Sequence, residues 1–171
     1  MKEILMQMKE RLEKGEELVL VTVLASSGST PRGAGAHMLV GRSGRIAGTI
    51  GGGMVEHRAE QMAGKALAEK ASAVHEFVLN KEDVQNLGMV CGGEVCVFFR
   101  YLPAGDEHTL RTISQANEGF RAKENLWLLS GLQEGGRLGL YSPSLGLTDE
   151  RMPRDIIPHL GRRPERFREN G

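Results

Sequence analysis

The chain has 171 residues, of which 40% are hydrophobic, and its 22 basic residues balance 22 acidic ones. A chain of this length forms one hydrophobic core and is short for two ordinary domains. Its neutral charge and its aromatic content of 5% argue against a nucleic-acid-binding surface. No run of roughly 18 apolar residues is present, so no membrane span is predicted. A charged N-terminus without a secretory signal, and two cysteines without a pairing pattern, predict a cytoplasmic protein.

The first half of the chain predicts alternating helices and strands. Apolar residues at helical spacing indicate a surface helix within the first fifteen residues. Residues 18–25, LVLVTVLA, form a nearly continuous aliphatic run, which is typical of a strand covered on both faces in a mixed or parallel sheet. Residues 36–40 and 45–50 lie on either side of a Gly-Arg-Ser-Gly turn and predict a hairpin. Strong helix formers then begin at Met54.

In the second half, residues 74–79 and 94–101 are predicted strands, and the glycine turn Cys91-Gly92-Gly93 precedes the second of them. Residues 109–121 have weaker helical periodicity, and a closing hairpin is expected within residues 126–141. The alternation of these elements predicts an α/β fold. We expect a single domain with a mixed β-sheet flanked by helices, whose glycine-rich loops form a pocket.

This domain is predicted to occupy residues 1–147. Residues 148–171 contain three prolines, six arginines and little periodicity. Such a composition predicts a basic, partly ordered tail or linker.

The densest glycine region lies between Gly28 and Glu56, where nine residues are glycine. Glycine allows a ligand to approach the backbone closely, but it costs conformational entropy, so a cluster of this density indicates a local requirement. Arg32 lies inside the first glycine turn, where it could bind a phosphate or a pterin-like ring or simply pair with a surface carboxylate. The triplet Gly51-Gly52-Gly53 leads into the predicted helix, whose amides and dipole favour an anion. The two glycine loops are therefore predicted to form the two sides of one pocket.

Glu56 and the two cysteines are the remaining candidates for chemistry. Glu56 either complements the helix N-terminus or accepts hydrogen bonds from an N–H-rich ligand edge. It also occupies the place of the third small residue of a dinucleotide fingerprint, which argues against a Rossmann site. Cys96 lies in an apolar run and is predicted to be a core residue. Cys91 precedes two glycines, whose amides favour a reactive thiol.

Three motifs in this order resemble the N-terminal domain of the XdhC/CoxI family: GSTPRGAGAHMLV, GRIAGTIGGGMVE and LGMVCGGEV. The similarity extends over most of residues 18–99. It implies an accessory protein that binds molybdenum cofactor (molybdopterin) as cargo, assists its sulfuration and delivers it to a xanthine dehydrogenase or carbon monoxide dehydrogenase type of molybdenum hydroxylase. The positions that match the family motifs are Gly28, Ser29, Pro31, Arg32, Gly35, Gly51, Gly52, Gly53, Glu56, Cys91, Gly92 and Gly93.

The resemblance implies a molybdenum hydroxylase apoenzyme as partner, together with a cysteine desulfurase, and we expect a homo-oligomer. The sequence departs from the family at Met54, where many members carry a cysteine, and it lacks the C-terminal Rossmann-like domain of many members. We expect a cofactor chaperone without turnover of its own. The alternatives are a sulfur carrier or transferase that uses Cys91 as its catalytic group, and an interaction module for a molybdenum enzyme.

Overall fold

The structure is a computed structural model that describes residues 1–28, 32–79, 93–133 and 135–160. Helices and strands follow one another in nearly the order that the sequence predicts. The elements are α1 (Lys2–Glu13), β1 (Leu18–Gly28), β2 (His37–Gly41), β3 (Gly44–Gly48), α2 (Gly53–Glu69), β4 (Ala73–Leu79), β5 (Gly93–Leu102), α3 (Glu107–Arg121), β6 (Trp127–Ser130), β7 (Leu138–Ser142), β8 (Gly146–Leu147) and a 3₁₀ helix (Arg154–His159).

The main sheet has five strands in the order β3-β2-β1-β5-β4, and β6, β7 and β8 form a second, three-stranded sheet. The predicted α/β class, with a sheet flanked by helices, is confirmed. The sheet was expected to be mixed, but every described strand pair is antiparallel. The aliphatic run of β1 correctly indicated burial on both faces, but burial does not determine the direction of the neighbouring strands.

Alternate residues of β1 enter two separate cores. Val19, Val21 and Val23 pack towards α2, whereas Leu18 and Leu20 pack towards α1 and α3. Burying each such aliphatic side chain contributes about 1.5–3 kcal/mol to folding. The helix α2 presents Ala59, Ala63 and Ala66 to the sheet. These small side chains allow the helix backbone to lie close to the strands.

Arg100 joins the two sheets. Its guanidinium group is buried, donates to Ser130 Oγ at 2.8 Å and to the Gly136 carbonyl at 2.5 Å, and also donates to the Gly131 carbonyl. Burial lowers the pKa of Arg100 to about 10, so the side chain is charged at neutral pH. The carbonyl groups of the loop between β6 and β7 therefore solvate this charge in place of water.

The first residues beyond the predicted domain boundary at residue 147 pack against β7. The Thr148 amide donates to the Leu140 carbonyl at 2.9 Å, and the Thr148 hydroxyl accepts from the Leu140 amide at 2.9 Å. Asp149 is buried and lies 3.6 Å from His108 Nε2. The boundary itself stays a prediction.

The strand β4 is one edge of the main sheet. Val74 and Val78 are 47% and 53% exposed there, whereas Phe77 is buried in the core beneath α2. Glu76 lies between the two exposed valines and is itself exposed. This edge therefore presents apolar side chains beside the backbone groups that a neighbouring strand would use.

Glu17 connects four parts of the chain at the end of the sheet where β1 begins. Its carboxylate accepts from the Tyr101 hydroxyl at 2.6 Å, from Arg42 Nη2 at 2.8 Å and from Lys70 Nζ at 3.0 Å. The hydrogen bond from Tyr101, followed by those from Arg42 and Lys70, lowers the pKa of Glu17 to about 2. Burial and the neighbouring carboxylate raise the pKa of Tyr101 to about 12.

We expect Glu17→Gln to flatten the acid dependence of stability. Because the pKa of Glu17 in the folded protein is below its ordinary value of 4.5, its stabilisation is fully present above pH 4.5 and is lost as the pH falls through about 2. Urea unfolding between pH 7 and pH 2 measures this change. Glu13→Gln, in an exposed ion pair with Lys9, is the matched control. Equal acid dependence in wild type and Glu17→Gln would contradict the prediction.

Candidate functional site

The antiparallel topology brings the glycine-rich segments to one end of the main sheet. The strands β1, β3 and β4 end there, and β2 and β5 begin there. The loop after β1, the loop after β3 and the connection between β4 and β5 therefore all attach at this end. Cys91 and Gly92 belong to that connection and lie outside the described residues, as do Ser29 and Pro31 in the loop after β1.

The predicted site residues at this end lie at two levels along the strands. The upper level is at Gly28 and Gly93, and the lower level is at Gly48. Gly28 pairs with Gly93, so these two glycines lie side by side on β1 and β5. Gly48, which precedes the glycine triplet, pairs with Met38, and Met38 pairs with Val21. Gly28 lies seven residues beyond Val21, which at roughly 3.3 Å per residue is about 20 Å along the sheet. Gly28 and Gly93 thus lie well beyond Gly48, the last residue of β3, along the direction of the strands.

Residues 32–36 run back along β1, from the level of Ser26 to that of Val23. A Cβ atom added to Gly33 would lie 4.0 Å from Ser26 Oγ. Further back, the Gly35 amide donates to the Val23 carbonyl at 2.8 Å, and the Val23 amide donates to the Ala36 carbonyl at 2.9 Å. Arg32 is exposed on this return path. Gly35 therefore lies beside Val23, near the lower level.

The glycine loop, residues 49–53, has an unusual backbone. Gly51, Gly52 and Gly53 have φ values of +129°, +78° and +63°. Gly52, with ψ of −172°, lies in a region that only glycine adopts readily. A Cβ atom on Gly52 would have nothing within 4 Å, so the backbone there is open to a ligand. The N-cap residue of α2 is Gly52, which has no side chain to accept from the first amides of the helix that begins at Gly53.

The carboxylate of Glu56 holds the glycine loop from beneath. One oxygen, Oε2, accepts from the amides of Ile50 and Gly52, each at 3.0 Å, and from the Thr49 hydroxyl. The other oxygen, Oε1, accepts from Arg45 Nη1 at 2.5 Å. Glu56 is only 7% exposed. Both oxygens therefore have protein donors, and the carboxylate shapes the loop.

The charge state of Glu56 follows from these contacts. Burial by itself raises the pKa of Glu56. The hydrogen bonds from Thr49, Gly52 and Ile50 and the charge of Arg45 outweigh burial, so the pKa lies below the ordinary value of 4.5. Glu56 is consequently an anion at neutral pH. Its carboxylate accepts from the amides of Ile50 and Gly52 just before α2, and both roles expected for Glu56 stay predictions.

Arg45 is the functional candidate that the sequence analysis did not single out. It lies on β3, donates to Glu56 and also lies 3.7 Å from Glu60 Oε1. In the sequence it is one of the exposed positions of a predicted hairpin, and an arginine in such a position usually needs no explanation. Only the fold shows that this hairpin lies beside the start of α2.

Two polar side chains lie near the start of β2. Thr22 Oγ1 and His37 Nδ1 are 3.0 Å apart on paired strands. Burial and the nearby N-terminal amine lower the pKa of His37 to about 4, so its ring is neutral at pH 7. Cys96 is buried on β5, as its apolar context predicted.

A cleft of about 480 Å³ lies at the opposite end of the sheet. Its lining residues are Gly15, Glu16, Glu17, Arg42, Ser43 and Ala104. It is separate from the glycine loop, because the turn between β2 and β3 and the start of β1 form its walls. The pocket expected between the two glycine loops stays a prediction.

Within the described part of the chain, no three His, Cys, Asp or Glu side chains gather in a metal-binding arrangement. The described helices are also all too short or too polar to cross a membrane.

Residues 11–78 match the XdhC and CoxI family. The matched segment is 68 residues long, about two fifths of the chain. It extends from the last turn of α1 to the end of β4, and it therefore includes both glycine loops and Glu56. The resemblance expected from the three motifs is confirmed for the two motifs that fall within it.

Two further proteins are similar to this chain. The uncharacterized protein YqeB of Escherichia coli (strain K12) is 33% identical over 111 residues, which are 61% of this chain and 20% of that protein. A crystal structure described as a xanthine dehydrogenase from Bacillus halodurans matches with a TM-score of 0.62 and 21% identity, over 86% of this chain and 43% of that one. The chain thus spans about a fifth and less than half of these two proteins, and the second likeness shows the fold alone.

We expect Gly52→Ala to destabilise the protein by about 1–3 kcal/mol, because the backbone conformation at this position is strained for any other residue. The added methyl group would meet no neighbour, so the change in the free energy of unfolding would report the backbone strain alone. Gly64→Ala, inside α2 and also without neighbours, is the matched control and should stabilise by about 0.4–1 kcal/mol. Urea unfolding compares the two. Equal effects of the two substitutions would show that Gly52 is not under strain.

Proposed function

We propose that the domain binds molybdenum cofactor as cargo and delivers it to a molybdenum hydroxylase apoenzyme. The observation that carries this proposal is the glycine loop, whose backbone at Gly52 is open at the N-terminus of α2, within the segment that matches the XdhC and CoxI family. The match to this family supports the role in maturation of a molybdenum hydroxylase. The geometry of the loop supports the binding of an anionic ligand.

The loop fits the phosphate group of the cofactor. The first amides of α2 have no partner within their own helix, and they point out of its N-terminus. Gly52 leaves the approach free of side-chain atoms. The Glu56 carboxylate would repel an anion, but Arg45 offsets that charge at 2.5 Å. The helix dipole therefore remains available to the phosphate.

Arg32 supplies the exposed cation of the proposal. A guanidinium group offers a planar fork of donors that suits a phosphate or the edge of a pterin. It lies in the segment of residues 32–36, which runs back along β1, so it can assist a ligand bound at the glycine loop. Gly28, Ser29, Gly35, Gly92 and Gly93 complete the proposed binding set.

Cys91 is proposed to handle the sulfur-bearing and metal-bearing end of the cargo, because a thiolate is a soft ligand. Sulfuration would then involve a cysteine desulfurase as second partner. The domain itself would act as a chaperone in the cytoplasm, and as a homo-oligomer. A catalytic role for Cys91 as a sulfur carrier is the alternative that the binding experiment below also addresses.

The purified chain should bind cofactor released from a molybdenum enzyme, and Arg32→Ala should weaken that binding. A charge-assisted hydrogen bond to an anion contributes about 1.5–3 kcal/mol, which corresponds to roughly a tenfold to hundredfold loss of affinity. Titration followed by fluorescence of the pterin measures the dissociation constant. Arg111→Ala, an exposed arginine on α3, is the control and should bind as wild type does.

Cys91→Ser should retain most of the affinity and lose transfer of sulfurated cofactor to the apoenzyme, since serine is a hard and neutral ligand. Circular dichroism verifies that each variant is folded. Failure of the wild type to bind cofactor would reject the proposal in favour of an interaction module. Unchanged affinity in Arg32→Ala would remove Arg32 from the site.

A further inference from the structure

We propose that Arg45 is a positioning residue for the glycine loop: it fixes the Glu56 carboxylate, which in turn holds the loop amides in the arrangement that receives an anion. This inference rests on the proposed function, and it adds a residue that touches no ligand. Arg45 would then control the affinity of the site through Glu56.

The two oxygens of Glu56 have different partners. Oε2 accepts from the amides of Ile50 and Gly52, which are part of the glycine loop. Oε1 accepts from Arg45. Arg45 belongs to β3 and pairs with Val40 of β2, so its backbone is fixed by the sheet. The contact therefore anchors the loop, through one carboxylate, to an edge strand of the main sheet.

Arg45 also balances the charge of a buried carboxylate. Glu56 is 7% exposed, and an ionised carboxylate at such a position requires donors or a cation. The described core between α2 and the strands β1, β2 and β5 is built from apolar side chains, and Tyr101 packs at its margin with its hydroxyl donating to Glu17. On α2 itself, His57 contacts Gln61, and Glu60 lies near the Nε atom of Arg45. The described charge that lowers the pKa of Glu56 belongs to Arg45.

Removing the arginine should make the loop sensitive to mild acid. In the wild type, the folded pKa of Glu56 is below 4.5, so the carboxylate holds the loop at pH values above 4.5 and releases it as the pH falls through the folded pKa. Without Arg45 only the hydrogen bonds from Thr49, Gly52 and Ile50 oppose the cost of burial, so the midpoint moves to higher pH. A protonated Glu56 has lost acceptor capacity, so the amides of Ile50 and Gly52 lose their partner.

The test is Arg45→Gln, with hydrogen exchange of the Ile50 and Gly52 amides followed by NMR between pH 7 and pH 4. We expect the midpoint of protection to move upward in Arg45→Gln. Arg45→Lys, which keeps the charge, should restore most of the protection. Arg42→Gln is the matched control, because Arg42 lies on the same hairpin and contacts Glu17 instead. The pH profile separates positioning from a general loss of stability, which would affect all amides.

Affinity provides the second measurement. At pH 5, Arg45→Gln should bind cofactor about tenfold more weakly than wild type, as expected for the loss of one charge-assisted contact, and the difference should decrease at pH 7. Glu56→Gln removes the titrating group, so protection of the loop amides should lose its pH dependence. If Arg45→Gln does not fold, the test compares Arg45→Lys with Glu56→Gln instead.

Coincident pH profiles of loop protection in wild type and Arg45→Gln would overturn the inference, and so would an equal shift in Arg42→Gln. If Arg45→Gln does not fold, loop amides in Arg45→Lys that are no better protected from exchange at pH 7 than those in Glu56→Gln would overturn it as well. If the wild type does not bind cofactor but the exchange profile shifts as expected, the proposed function fails and the positioning role of Arg45 stands. If cofactor binds and the profile does not shift, only the positioning role fails.

Discussion

Burial of β1 on both faces is the constraint on which the rest of the fold depends. The strand lies in the middle of the five-stranded sheet, between β2 and β5, and its alternate residues belong to two cores. One core requires α2 on one side of the sheet, and the other requires α1 and α3 on the opposite side. Since α2 must pack against Val19, Val21 and Val23, its N-terminus lies at the end of the sheet where β3 ends. The glycine loop is therefore positioned by the core.

A carboxylate beneath a helix N-terminus would ordinarily compete with an anionic ligand for the same partial charge. In this domain Glu56 instead uses the amides of Ile50 and Gly52, which precede the helix, and its charge is balanced by Arg45. The first amides of α2 itself remain directed outward. One buried charge thus shapes the loop, while the helix N-terminus retains its preference for an anion.

Much of this arrangement could be predicted from the sequence. The aliphatic run of β1, the hairpin around Gly41 to Gly44 and the helix after the glycine triplet depend on local periodicity and turn chemistry, and all three are confirmed. The buried position of Cys96 also followed from its apolar neighbours. Strand direction could not be predicted, because an aliphatic run is compatible with either direction.

The sequence also could not reveal the two levels of the site or the contact of Arg45 with Glu56. The separation of the levels depends on how far β1 and β5 extend beyond β2, which is a matter of register between distant residues. Arg45 and Glu56 are eleven residues apart and lie on different elements. An arginine on a strand and a glutamate in the first turn of a helix are both common, so no local sequence pattern predicts that these two side chains contact each other.

The exposed edge at β4 has a consequence for the behaviour of the protein in solution. Its sequence, AVHEFVL, contains neither proline nor lysine, the residues that most often prevent one edge strand from pairing with another. Antiparallel pairing of two such edges about Glu76 would place each Val74 opposite a Val78 and the two carboxylates opposite each other. Their repulsion opposes this self-association at neutral pH. In this register, the charge of Glu76 opposes the association of two domains through their β4 strands.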